Sequence, residues 1–136
     1  MNIRRVLVVV LPTVLLCACA AMRGETTVES AVVLGPGGRA EGRVVVPEGA
    51  EIEIGLENEG PGRADYVIRV DGGSQLATGA LHEASAGFEA SKQSTIIVVI
   101  EAYNDAGTTV EFEVEADGGL DLTWDLSRAQ RKVEAK

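Results

Sequence analysis

The chain has 136 residues, 21 acidic and 12 basic, with a formal net charge of −9, one histidine and two cysteines. A negative excess of this size repels phosphate backbones, so nucleic acid is not an expected partner. One histidine excludes a multi-histidine metal site, and two cysteines, Cys17 and Cys19, supply neither a disulfide framework nor a cysteine-based zinc site.

The chain opens with Arg4 and Arg5, followed by an uncharged run over 6–16 that is interrupted only by Pro12 and Thr13, then by small residues. A basic start, a short apolar core and a small-residue end form a bacterial export signal. A spanning helix needs about 20 apolar residues, more than this run holds. Leu16-Cys17-Ala18-Cys19 resembles the lipobox of bacterial lipoproteins. The resemblance implies cleavage after residue 18, diacylation of Cys19 and attachment to a membrane. Ala20, in place of an aspartate, implies an outer membrane. The alternative is ordinary cleavage after Ala18-Cys19-Ala20, which would release a soluble periplasmic or secreted protein. Cysteines two apart rarely reach bridging geometry, so a Cys17–Cys19 disulfide is not expected.

Loss of 1–18 removes Arg4 and Arg5 and leaves ten basic residues against 21 acidic ones, a net charge of −11. Four of those ten bases, Arg128, Arg131, Lys132 and Lys136, fall in the last nine residues. The expected organisation is a signal over 1–18, a lipidated cysteine and tether over 19–27, a β domain over 28–127 and a basic tail over 128–136.

From Val28 onward the dominant pattern is period-two alternation, the mark of half-buried strands. It places Ile52, Ile54 and Leu56 on one face and Glu51, Glu53 and Glu57 on the other. Tyr66, Ile68 and Val70 repeat it, as do Val110, Phe112 and Val114 against Glu111, Glu113 and Glu115. The last repeat buries Leu120, Leu122, Trp124 and Leu126. Two continuous β-branched runs, 43–46 and 95–100, predict strands covered on both faces, the second at the centre of a sheet. Weaker strands are expected over 28–34, 75–81 and 87–90. Gly, Pro, Asn and Asp clusters over 35–38, 47–49, 58–62, 71–73, 104–107 and 117–119 supply the intervening turns. The reading is an all-β fold: an antiparallel β-sandwich, jelly-roll or immunoglobulin-like, of eight to nine strands.

The stretch 42–70, with Val46-Pro47-Glu48-Gly49, alternating apolar residues, and a Gly-rich turn into Asp65-Tyr66-Val67, resembles the first half of bacterial pre-peptidase C-terminal domains. These are secreted β-sandwiches appended to exported enzymes, and the resemblance implies the fold class. Val44 and Val45 stand where an aromatic residue is often found.

No catalytic constellation is expected. His82 reads as a loop residue, no G-x-S-x-G elbow is present, and the paired glutamates read as solvated strand faces. Asp71, Asp105 and Asp117 fall on predicted turns, where carbonyls can complete an oxygen shell, and are candidate calcium ligands. Tyr103 and Phe88 are the aromatic residues left for a glycan surface. The function expected is therefore a non-enzymatic, lipid-anchored module of the bacterial cell envelope, structural or protein-binding. Its partners would be the membrane, through Cys19, and another envelope protein or a glycan. The alternative is a calcium- or polysaccharide-binding module; no other cofactor is expected.

Overall fold

The computed structural model describes residues 25–130. The export segment, Cys19 and residues 131–136 of the tail lie outside the described residues. Nine strands follow one another with no helix between them: β1 (Glu25–Leu34), β2 (Arg39–Val46), β3 (Glu51–Pro61), β4 (Ala64–Val70), β5 (Gln75–Ala80), β6 (Glu83–Glu89), β7 (Ser94–Ala102), β8 (Thr108–Asp117) and β9 (Asp121–Arg128). All pairings are antiparallel, in two sheets ordered β1-β8-β3-β6 and β5-β4-β7-β2-β9.

Among the first eight strands, β1 pairs with β8, β2 with β7, β3 with β6 and β4 with β5. That is one long hairpin rolled on itself, the jelly roll. Of the two sandwich subtypes expected from the sequence, the strand order selects this one. β9 is an addition, laid against the outer side of β2.

The alternation is realised where it was strongest. Ile52, Ile54 and Leu56, Ile96, Val98 and Ile100, and Val110, Phe112 and Val114 all face the space between the sheets, none more than 3 % exposed. Burial of each such side chain contributes about 1.5–3 kcal/mol, which lets a chain without a described disulfide close a core. β7 is the central strand of the five-stranded sheet. Turn chemistry closes the ends. In the β4–β5 turn, Gly72 takes a φ of +73°, which a side chain would resist, and the Gly73 N–H donates to the Val70 carbonyl.

Several boundaries and burials differ from the sequence reading: β2 already begins at Arg39, and β3 runs on to Pro61 through the turn expected over 58–62. β1 starts at Glu25 rather than Val28, because Glu25, Thr26 and Thr27 pair with Asp117, Ala116 and Glu115 of β8. The weak strand expected over 87–90 is the longer β6, held in register against β3. β9 extends through Arg128, and Ala129 is buried behind it. Leu126, expected inside, is 50 % exposed. The reason is topological: β9 lies beyond β2, past the edge of the four-stranded sheet, so little covers its inner face. Trp124 is only partly exposed because its ring leans inward over Gly42, its register partner; a Cβ on Gly42 would come within 2.8 Å of that ring. The leaning ring meets Phe112 edge-on at 5.2 Å and 85°.

Candidate functional site

The strand order sorts the charges. The strands of the four-stranded sheet carry two acidic residues in β1, four in β3, two in β6 and four in β8, twelve in all, and no lysine or arginine. Alternation turns the even-numbered apolar positions inward, so the carboxylates collect on the outer face. They also stand opposite one another: Glu53 against Glu115, Glu57 against Glu111 and Glu83, Glu29 against Glu113, and Glu51 against Glu89. Like charges in direct cross-strand register are destabilising.

Gly55 sits in the middle of β3 between Ser85 and Glu113, and a Cβ there would meet nothing within 4 Å. The missing side chain leaves a depression of about 440 Å³ bordered by Glu57, Glu83, Ser85, Glu111 and Glu113. A second, of about 700 Å³, opens toward the other end of the sheet, where Gly87 lies among Glu51, Glu53, Glu89 and Glu115. Beside the first, carboxylate oxygens of Glu57, Glu59 and Glu111 lie within 4.8 Å of one another. Such a spacing suits hard-cation ligands. Glu111 departs from the solvated face read from the sequence: it is 5 % exposed, because it occupies an interior strand with Glu57 on one side and Ala31 on the other.

The carboxylates singled out on turns are not brought together. The Asp71 N–H donates to the Thr95 carbonyl at the start of β7, whereas Asp105 follows the end of β7, at the opposite end of the sandwich. Asp117 shares the Asp71 end but closes β8 in the other sheet. Each has a partner of its own. Arg43 Nη1 lies 3.9 Å from Asp71 Oδ2, Arg63 Nη2 donates to Asp105 Oδ2 at 3.2 Å, and the Glu51 N–H donates to Asp117 Oδ1 at 3.3 Å.

The aromatic candidates are likewise occupied. Phe88 faces inward and packs on the core. The Tyr103 ring is capped by Arg63, whose Cζ stands 4.7 Å from its centroid. The Tyr103 hydroxyl donates to Asp65 Oδ1 at 3.1 Å, and that bond, with the Asp65 charge behind it, raises the phenol above its usual 10.0. His82 is exposed in the β5–β6 turn, where its carbonyl accepts the Asn58 N–H.

No known protein-family profile matches the chain, and no curated protein does. Solved structures do. The pre-peptidase C-terminal domain of a collagenase from Bacillus anthracis is 20% identical, covering 66% of this chain and 88% of that one, with a TM-score of 0.50. This likeness bears out the β-sandwich, the fold that the resemblance over residues 42–70 implies. A family two carbohydrate esterase from Cellvibrio japonicus is 12% identical over 71% of this chain and 35% of that one, TM-score 0.46. A periplasmic inhibitor of g-type lysozyme from Aeromonas hydrophila is 8% identical over 75% and 90%, TM-score 0.43.

Proposed function

We propose that this chain is an exported lipoprotein whose jelly roll, tethered through Cys19, serves as a non-enzymatic protein-interaction module at the bacterial cell envelope. The observation that carries the reading is the charge division: twelve acidic and no basic residues in one sheet, against five acidic and four basic in the other. A face on which glutamates oppose glutamates works against folding, and local rules are broken chiefly where a surface has another use. The Leu16-Ala18-Cys19 segment supports export and anchoring, and Ala20 supports an outer-membrane destination.

The test is fractionation of cells that express single variants. Cys19→Ser should shift the protein out of the membrane fraction or leave it with its signal uncleaved, while Cys17→Ser should stay membrane-bound. If both variants fractionate like the parent, the anchoring is wrong and a soluble exported protein takes its place.

A further inference from the structure

The two sheets end in four edge strands: β1 and β6 in one, β5 and β9 in the other. Natural proteins blunt such edges with bulges, short strands, prolines or lysines, because unpaired backbone is a template for another chain. Three of these edges are blunted. β5 has six residues, an irregular register and Gly79 at φ +147°. β6 has seven with Gly87 among them, and β9 is shifted in register against β2. β1 is the exception: ten residues, ten consecutive partners in β8, and no glycine, proline, lysine or arginine.

Its backbone phase is set by the end of β9. The Gln130 Nε2 donates to the Val33 carbonyl at 3.3 Å, and the Gly35 N–H donates to the Ala129 carbonyl at 2.9 Å. Those groups therefore point away from β8. The N–H and C=O of one strand residue share a direction that alternates along the strand. Ala31, Glu29 and Thr27 consequently present theirs to the same open side. Below that opening lies the inner face of the overhanging β9, with Leu122 and Trp124 partly covered and Leu126 half exposed. Above it is the outer face, where Glu29 belongs to the acidic sheet.

We propose that the edge of β1 over 27–31, which no strand covers among the described residues, is a strand-addition site for an extended segment of another protein in which apolar residues alternate with lysine or arginine. Backbone bonds to β1 supply the affinity. The alternation supplies the selection: apolar side chains turn down onto Leu122, Trp124 and Leu126, and basic ones turn up beside Glu29. The site rests on the interaction-module reading and names the partner's chemistry.

The probe is a synthetic ten-residue peptide of alternating valine and lysine, titrated into the full chain in mild detergent and followed by Trp124 fluorescence. It should bind at least roughly tenfold tighter than a peptide of the same composition with its valines and lysines in separate blocks. Ala31→Pro removes an N–H that β8 does not use, so the variant should melt like the parent yet lose roughly tenfold or more in affinity. Leu126→Asp, at a half-exposed position, should weaken binding similarly and serves if the proline variant fails to fold. Equal binding of the two peptides, or parent-like binding by both variants, overturns the site. So does binding that appears only when the chain is cut after Gln130, since its own following residues would then hold the edge. Cys19 plays no part in this titration, so its failure and a failure of the anchoring are told apart.

Discussion

The outer faces of the two sheets solve one problem in opposite ways. On the five-stranded sheet, Ile97 points outward from the central strand yet is only 1 % exposed. Its register partners are Arg43 on one side and Arg69 on the other. Long arginine stems cover apolar surface while their charged heads stay wet. The Arg43 head also finds a carboxylate, its Nη2 bonding Glu41 Oε2 at 3.0 Å, and on the same strand Arg39 lies 3.8 Å from Glu41 and 3.9 Å from Glu101. The equivalent central stretch of the four-stranded sheet has Gly55 and glutamates, with no arginine in any of its strands. One face is finished by its own side chains; the other is left charged and hollowed. A sandwich needs two inner faces to fold, and this pair shows that its outer faces are free to differ.

The largest effect comes from severing what both sheets share. Phe112 belongs to the acidic sheet and Trp124 to the mixed one, so Phe112→Ala should cost about 3–5 kcal/mol, read as a fall in the urea midpoint. That is a large part of the roughly 5–15 kcal/mol a domain of this size holds. Next comes Ile97→Ala, expected to cost about 2 kcal/mol, at the low end for such a truncation because arginine stems can settle into the space. Gly55→Ala, its counterpart on the hollow face, enters open space and should stay within about 1 kcal/mol of the parent. Equal losses at 97 and 55 would erase the distinction between the faces.

A smaller effect has the opposite sign. Glu115→Gln removes a charge that faces Glu53, and it should stabilise by about 0.2–1 kcal/mol. The gain should shrink as salt rises from 0.01 to 1 M, because screening already relieves the parent. Thermal melts at the two salt levels measure it. A destabilised variant would mean that Glu115 holds a partner whose attraction exceeds the repulsion.

Much of the fold was legible in the residues, and the candidate site was not. Period two marks Ile52, Ile54 and Leu56 as inward whatever their neighbours are, because it depends only on the pleat. The same count made Glu111 a solvated residue and Leu126 a buried one, and both were wrong for a reason outside the strand. Glu111 is covered by flanking strands, and Leu126 belongs to a strand that overhangs the opposite sheet. The acidic face depends on pairing even more. Its acidic residues come from positions 25 to 117, and nothing local says that β1, β3, β6 and β8 share a sheet while β2, with two arginines, lies in the other. The positions of the turn aspartates depend on the pairing as well. Asp71, Asp105 and Asp117 look alike in sequence, but the roll sends Asp105 to the far end.

The smallest effect lies on the mixed face and tests whether its carboxylates are locally satisfied. Asp125 Oδ1 accepts the Ser127 hydroxyl at 2.7 Å and the Ser127 N–H at 3.0 Å. The hydroxyl bond, then the backbone bond, hold the carboxyl below its ordinary 3.8. A carboxylate favoured in the folded state stabilises above its unfolded pKa, and that stability is lost as pH falls through the lower folded value. Ser127→Ala keeps the backbone bond and removes the hydroxyl. Its melting temperature should therefore lie slightly below the parent's at pH 7, and the two should converge as pH drops beneath 3.8. Asp125 is exposed, so solvent screens the difference and it stays the smallest of the set. A gap that persists undiminished at the lowest pH would assign the loss to packing of the serine rather than to its bond with the carboxylate.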